Sequence, residues 1–279
     1  MVEPFVGSEA LAAGTLTRYT LRRGFVAIYP DVYLTRGIEP TAIAQAKAAW
    51  LWSKRRGVVA GRSAAAMLGA KWVDPWAAAE IVHDNRHPPH GVVTWWDHLD
   101  DDELVTISSM RLTTPARTAL DIACRRPLGR AVAEIDALAR ASHLKPADVE
   151  LLAERYRGRR GIRNARTALD LVDAGAESPR ETWLRLLLVR AGFPRPQTQI
   201  PVHDEFGMLT AVLDMGWPEI KVAADYDGDH HRTSRTRFNR DIRRAEEVAR
   251  LGWIDIRVTS EDTEAGVIGR VRAARDRRL

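Results

Sequence analysis

Cysteine is almost absent from this chain of 279 residues, which contains one, Cys124. A single cysteine cannot form an internal disulfide, and its apolar helical surroundings indicate a small core residue. Long apolar runs are also absent, since none approaches the roughly 18 residues that would cross a bilayer. The first residues lack the basic and then apolar stretches of a signal peptide. These absences predict a cytoplasmic protein with no membrane partner.

Lysine is scarce as well, because only five of the 42 basic residues are lysine. A GC-rich coding genome alone produces such a bias, so the number of arginines does not by itself indicate nucleic-acid binding. Their clustering says more, since six arginines and one acid lie between His230 and Arg244. Guanidinium groups match the oxygens of phosphate. With a net charge of +5, this cluster favours a polyanionic partner over the alternative of a solvated helix face.

The order of predicted elements divides the chain into three regions of α/β class, α+β overall. Residues 1–75 are predicted to form a winged-helix-like domain. Residues 76–175 follow as an α+β middle region, with strands first and helices after them. Residues 176–279 show the order helix, three strands, helix and strand, which predicts a mixed sheet flanked by helices. This last region is large enough to be a domain by itself.

The first region has the order helix, turn, helix and hairpin that is typical of a winged helix-turn-helix. Thr17 is predicted to cap the second helix and Gly24 to end it. This helix would expose three arginines towards a DNA backbone or groove: Arg18, Arg22 and Arg23. A protein-interaction module of the same shape is the alternative interpretation.

Carboxylates end two short apolar runs in the last region, at Asp214 and at Asp225 with Asp227. The Gly-Trp-Pro-Glu segment between the runs predicts a β-hairpin. Because side chains alternate along a strand, Asp225 and Asp227 are expected on one face, roughly 6 to 7 Å apart. Three such acids repel one another unless a cation lies among them, and oxygen ligands suit Mg²⁺ or Mn²⁺. The hairpin therefore predicts a metal site for phosphoryl chemistry.

A helix that begins at Pro179 carries a further acid, Glu181. Ser178 fits the N-cap and Glu181 the third helical position, which is the pattern of a capping box. A capping box needs no catalytic role. The functional alternative is that Glu181 faces the hairpin and supports the metal ligands.

In this order, the helix with Glu181, the carboxylate hairpin, the basic helix and the last strand resemble the PD-(D/E)XK nuclease superfamily. The closer resemblance is to the uncharacterised family related to very-short-patch-repair endonucleases, over residues of about 176 to 260. It rests on these segments: Ser178–Glu181, Asp214, Ala224–Arg232, Arg240–Arg244 and Gly252–Trp253. The first region is similar to winged-helix segments found on such proteins and on abortive-infection antitoxins.

This resemblance implies a restriction-endonuclease-like sheet in which Asp214 and Asp225 bind the metal. The backbone carbonyl of Tyr226 would be a third ligand. Many members have lysine two residues after the second acid, whereas this chain has Asp227, which we keep as a candidate catalytic residue. Lys221 cannot readily replace that lysine, because it lies four residues before Asp225, about 13 Å along a strand.

The same resemblance implies roles for histidine and arginine. The repair endonucleases use a histidine near the metal, so His231, or its neighbour His230, is the candidate general acid or base. Arg240 and Arg244 lie one helical turn apart and would clamp the scissile phosphate. The alternative for the histidines is plain exposure on a loop.

The predicted function is a Mg²⁺- or Mn²⁺-dependent DNA endonuclease, targeted by its winged helix, in defence, repair or a toxin–antitoxin system. RNA stays open as the substrate, and a homodimer or a toxin–antitoxin partner stays open as the assembly. The missing lysine favours the alternative of a catalytically degenerate DNA-binding regulator or antitoxin-like protein. A third hypothesis is an interaction partner that contacts no DNA.

Overall fold

The chain forms two compact units, Met1–Val172 and Asp173–Leu279. The computed structural model describes residues 3–228 and 235–279, with the backbone alone over 235–241. Both units combine helices with sheets, which confirms the predicted α/β class. The predicted boundary near residue 175 lies close to the boundary between the units. No helix in the described ranges is long and apolar enough to cross a membrane.

The first unit begins with a small helical segment and a three-stranded antiparallel sheet. Its elements are β1 (Phe5–Val6), α1 (Gly7–Ala12), α2 (Arg18–Gly24), β2 (Phe25–Tyr29) and β3 (Val32–Thr35). The strands lie in the order β1-β3-β2. Thr17 caps α2 as predicted, since its side chain accepts a hydrogen bond from the backbone N–H of Thr20. Two strands of the sheet, β2 and β3, follow the two helices directly, whereas β1 precedes them.

A second, five-stranded sheet in this unit crosses the predicted boundary at residue 75. It consists of β4 (Val58–Val59), β5 (Ala79–Val82), β6 (Val92–Trp95), β7 (Leu104–Ile107) and β8 (Met110–Thr113), in the order β6-β5-β4-β8-β7. Two helices accompany it, α3 (Ala42–Trp52) and α4 (Gly61–Met67). Because β4 pairs with both β5 and β8, one strand of the first region shares a sheet with the strands of the middle region.

Four further helices complete the first unit: α5 (Pro115–Arg125), α6 (Leu128–Ser142), α7 (Pro146–Arg155) and α8 (Ile162–Leu171). Arg117 of α5 is a buried arginine with no exposed surface. Its guanidinium pairs with three carboxylates, those of Asp97, Glu103 and Asp121. Charges of both signs are thus part of this core, where buried ions require partners.

The second unit is one mixed sheet between helices. Its elements are α9 (Pro179–Arg190), β9 (Gln197–His203), β10 (Leu209–Trp217), β11 (Val222–Tyr226), α10 (Arg235–Arg250), β12 (Ile254–Val258) and α11 (Glu264–Asp276). The strands lie in the order β12-β11-β10-β9, with β11 and β12 parallel and the other pairs antiparallel. Leucines of α9 and valines of α11 pack on one face, and Val248 of α10 packs on the other.

Candidate active site

The predicted hairpin is formed by β10 and β11, and the two aspartates meet where its ladder ends. Backbone pairing runs from Trp217–Val222 to Met215–Ala224. At the next position the side chains replace the ladder: the Asp214 N–H donates to Asp225 Oδ1 at 2.8 Å. In return, the Tyr226 N–H donates to Asp214 Oδ2 at 2.7 Å. These crossed bonds hold Asp214 and Asp225 next to each other.

Strand β10 changes face at Asp214. Leu213 packs in the apolar cluster on the α10 side, yet Met215, two residues later, packs in the cluster on the side of α9 and α11. A regular strand would place both on one face. Between the flanking pairs Leu213–Ile200 and Met215–Thr198, Gln199 of β9 has a left-handed backbone with φ of 51°. Strained backbone of this kind clusters at functional sites.

Asp225 is buried and Asp214 is half-buried, and the pKa values of both carboxyl groups are raised. Asp225 has 4% of its surface exposed, and burial raises its pKa to about 7, with the charges of Asp255 and Asp214 adding to the shift. Burial also raises the pKa of Asp214 to about 6, with the like charge of Glu181 adding to the shift. Raised pKa values of this size are typical of functional carboxylates, because charged forms are costly away from water.

Asp255 of β12 is a third carboxylate of this cluster, and it was not among the residues predicted from the sequence. Burial raises the pKa of its carboxyl group as well. Its Oδ2 accepts from Arg257 Nε at 2.8 Å, whereas its Oδ1 is buried without a hydrogen-bond partner among the described residues. The alternation Ile254-Asp255-Ile256-Arg257-Val258 was the available signal, since it places Asp255 and Arg257 on one strand face.

Glu181 fulfils parts of both interpretations given to it. Ser178 caps α9 by accepting the Glu181 N–H at 3.2 Å. The Glu181 carboxylate, however, accepts from the backbone N–H of Glu177 at 2.8 Å rather than from that of Ser178, so the predicted box is displaced by one residue. With 8% of its surface exposed, Glu181 also raises the pKa of Asp214. Its charge is therefore part of the environment of the hairpin acids.

The structure describes only some of the side chains that were predicted to act on or beside the basic helix α10. Arg244 Nη2 lies 3.6 Å from Asp225 Oδ2 and donates to the carbonyl of Val212. Arg240 belongs to α10, but its side chain lies outside the described residues, as does all of His231. Of the residues predicted on or near the basic helix, Arg244 is therefore the one with a described contact to the hairpin aspartates.

Asp227 and Lys221 flank strand β11, one residue beyond each of its ends. The strand ends at Tyr226, so Asp227 lies just beyond it and not within it as predicted; its N–H donates to the Val258 carbonyl at 2.7 Å. Despite burial, the pKa of Arg257 is raised by Asp255, Asp225 and Asp227. Lys221 Nζ donates to the carbonyl of Leu251 at 3.1 Å, at the far end of the strand.

The predicted DNA-binding arginines of the first unit, Arg18, Arg22 and Arg23, are all exposed on α2. Arg23 Nη1 donates to the Tyr19 hydroxyl at 2.7 Å. The guanidinium of Arg36, which follows β3, donates to the carbonyls of Arg22 and Arg23 and so fixes the end of α2 against the hairpin. The helix thus presents a basic surface on a defined support.

A separate acidic group in the first unit, Asp100, Asp102 and Glu103, has ligand atoms within 4.8 Å of one another. All three carboxylates accept from Arg155, at 3.3, 3.0 and 3.0 Å for its Nη1. An arginine already balances this group, so it does not indicate a metal. Within 3–228 and 242–279, no trio of hairpin-site carboxylates meets that spacing, so a cation there would rest on two of them at a time.

The raised pKa values predict that the second unit loses stability as the pH rises from about 4 to about 7. In this window the native Asp214 and Asp225 keep protons that unfolded aspartates, with a pKa of about 3.9, have lost. The native state then binds more protons, so the free energy of unfolding falls with rising pH. In urea unfolding with EDTA, the free energy of unfolding of Asp225→Asn should rise relative to that of the wild type across this window. At pH 7.5 it should exceed the wild-type value. Parallel stability curves for the two proteins would contradict the expectation.

Comparison with known proteins gives similarity but no function. The chain is 34% identical over 161 residues to an uncharacterized protein of Mycobacterium tuberculosis strain CDC 1551, and to one of strain H37Rv. Each match covers 57% of this chain and 58% of the relative. No family model matches the chain. No solved structure matches it either.

Proposed function

We propose that the chain is a divalent-metal-dependent nuclease that acts on DNA in the cytoplasm, with its reactive centre at the hairpin of the second unit. The observation that carries this proposal is the group of three carboxylates, buried Asp225 and half-buried Asp214 and Asp255, with raised pKa values at a distorted sheet position. A fold without a function there would gain stability from neutral residues. The resemblance to PD-(D/E)XK nucleases supports the same conclusion.

The donor set fits Mg²⁺ or Mn²⁺. Asp214 and Asp225 each use one oxygen for a backbone N–H, which leaves Asp214 Oδ1 available and Asp225 Oδ2 beside Arg244. Asp255 Oδ1 is buried without a hydrogen-bond partner among the described residues. Hard divalent cations prefer such carboxylate oxygens. Asp214 and Asp225 would hold the ion, with Asp255 and Glu181 as supporting charges. Once bound, the ion would supply Lewis-acid stabilisation of phosphate charge.

The remaining residues would bind and orient the substrate. Arg244 lies beside Asp225, and in the proposal its guanidinium leaves that carboxylate to hold a phosphate oxygen. Arg240 would hold a second oxygen from the same helix. We assign His231 the proton transfer, because its ordinary pKa allows either direction near neutral pH. Asp227 would help to position Arg257.

A degenerate, DNA-binding regulator is the second candidate, and two observations favour it. The position expected to carry lysine is Asp227, and Lys221 is bonded at the other end of β11. Arg244 already lies 3.6 Å from Asp225, where a guanidinium balances part of the charge that a metal would balance. In this alternative, the second unit is a stable scaffold and the first unit binds DNA.

Supercoiled plasmid distinguishes the two candidates. We expect the purified full chain to nick it with Mg²⁺ or Mn²⁺ and to leave it intact in EDTA. Binding of DNA without nicking in either ion would favour the regulator.

Both candidates predict that α2 contributes to DNA affinity. Changing Arg18, Arg22 and Arg23 together to alanine should weaken duplex binding and lower the slope of log affinity against log salt by about one for each phosphate that the protein no longer neutralises. A gel-shift titration at several salt concentrations measures both. The control removes the same charge from exposed positions elsewhere in the unit: Arg111, Arg157 and Arg163. Equally weakened binding in the two triple variants would count against a role for α2.

A further inference from the structure

An open cavity of about 660 Å³ lies in the first unit, apart from the basic helix α2. Its wall combines the end of β6 with the end of α5 and the turn before α8. The residues that matter are two tryptophans and four arginines: Trp95, Trp96, Arg125, Arg126, Arg159 and Arg160. The volume is within the range of small-molecule sites.

The acids of this cavity are already engaged. Glu80 pairs with Arg126, and its other oxygen accepts the backbone N–H of Arg62 at 2.8 Å. Asp97 pairs with Arg117 at 2.6 Å and with Arg159 at 2.7 Å. Neither carboxylate is therefore available to balance further positive charge.

The cavity is lined by more arginines than acids. Arg125 and Arg160 are exposed and make no ion pair with any described residue. Arg159 is mostly buried; its Nη2 pairs with Asp97 and Asp121, while its Nη1 is buried without a hydrogen-bond partner among the described residues. A buried donor of this kind costs free energy until it meets an acceptor. Three guanidinium groups thus line one cavity, those of Arg125 and Arg160 exposed and that of Arg159 mostly buried in its wall.

Aromatic surface borders the same donors. The Arg125 guanidinium stacks on Trp95 at 4.0 Å from the ring centroid. Trp96, the next residue, has 75% of its surface exposed at the rim. An exposed indole costs free energy in water and offers a flat face to a planar partner. Guanidinium groups that can bind a phosphate lie beside an exposed indole that can stack on a base. Together they match the phosphate and the base of a nucleotide.

We propose that this cavity binds a nucleoside phosphate, with the phosphate on Arg125, Arg160 and Arg159 Nη1 and the base stacked on Trp96. The ligand is either a free nucleotide or a nucleotide unit of a single strand. This site lies in the first unit and does not depend on the nuclease centre proposed for the second. It gives the unit a nucleotide-binding function besides that of α2.

Isothermal titration of the full chain in EDTA tests the proposal with three probes: adenosine monophosphate, inorganic phosphate, and an oligothymidylate of about ten nucleotides. The nucleotide should bind about tenfold or more tightly than phosphate, because only the nucleotide stacks. An oligothymidylate that binds far more tightly than the mononucleotide identifies a single strand as the ligand. Similar affinities identify a free nucleotide. No binding of any probe at millimolar concentration overturns the proposal, as does phosphate binding as tightly as the mononucleotide.

Two variants separate the halves of the site. The double variant Arg125→Gln with Arg160→Gln should weaken nucleotide and phosphate binding about tenfold or more, since it removes charge-assisted hydrogen bonds. Trp96→Ala should weaken nucleotide binding about fivefold or more and leave phosphate binding unchanged. The matched controls are Arg111→Gln and Trp76→Ala, both exposed and outside the cavity. Nucleotide affinity within twofold of wild type in both test variants overturns the proposal.

Discussion

Asp225→Asn is expected to reduce metal-dependent plasmid nicking by about 10³-fold or more, while the protein stays folded. The substitution removes one carboxylate ligand, and the loss of several kcal/mol of metal stabilisation corresponds to a rate change of this size. The asparagine side-chain oxygen still accepts the Asp214 N–H that Asp225 Oδ1 accepts at 2.8 Å. In EDTA at pH 7.5 the variant should even melt at a higher temperature, because it removes a charge buried among acids.

Glu219→Gln is the matched control, because Glu219 is an exposed acid in the turn of the same hairpin. It should retain activity within about twofold. Equal nicking by the wild type and Asp225→Asn would identify a contaminating nuclease and refute the site. Metal should raise the melting temperature of the wild type and of Glu219→Gln but not that of Asp225→Asn, which measures binding without turnover.

Arg117→Met is expected to cost about 3 to 5 kcal/mol of unfolding free energy, the largest stability loss that we predict. Arg117 has no exposed surface and pairs with Asp97, Glu103 and Asp121. Burial raises the pKa of Asp121 even with Arg117 beside it. Without the guanidinium, Asp97 and Asp121 share Arg159 and Glu103 keeps its pair with Arg155, so part of the negative charge in the core is no longer balanced. The loss should therefore be larger at pH 8 than at pH 5, where protonation reduces this negative charge.

Urea unfolding at the two pH values measures this effect. Arg166→Met is the matched control, since Arg166 pairs with Glu154 at 2.6 Å but both side chains are at least half exposed. Exposed pairs contribute little, so we expect almost no change at either pH. A loss below about 1 kcal/mol for Arg117→Met would show that the core tolerates its acids without the arginine.

The sequence predicted the parts of the fold that have strong local signals. Thr17 before a helix and the β-hairpin of two apolar runs are of this kind, and both appear as expected. The turn itself begins later than predicted, because Gly216 and Trp217 extend β10 and residues 218–221 connect the strands. The short strand β4 was missed, because Val58 and Val59 are too few to show alternation. Arg117 was missed as a core residue, since an arginine on a helix is ordinarily exposed.

The candidate site was predicted in part for a similar reason. Asp214 and Asp225 share one hairpin, so their proximity follows from local pairing. Asp255 joins them only through the parallel pairing of β11 with β12, on the far side of helix α10. No local pattern reports such pairing. The change of face at Asp214 was also not predictable; it coincides with the left-handed backbone of Gln199 in the neighbouring strand, which no local pattern indicates.

The parallel pairing of β11 with β12 also sets the order in which the acidic cluster is assembled. The hairpin of β10 and β11 requires only a short turn, whereas β12 docks on β11 after the whole of α10 has crossed over the sheet. Contacts that close a longer loop form more slowly. We therefore expect the hairpin that joins Asp214 and Asp225 to form before β12 brings Asp255 to them. The acidic cluster is complete only when β12 has paired with β11 and the sheet of the second unit has all four strands.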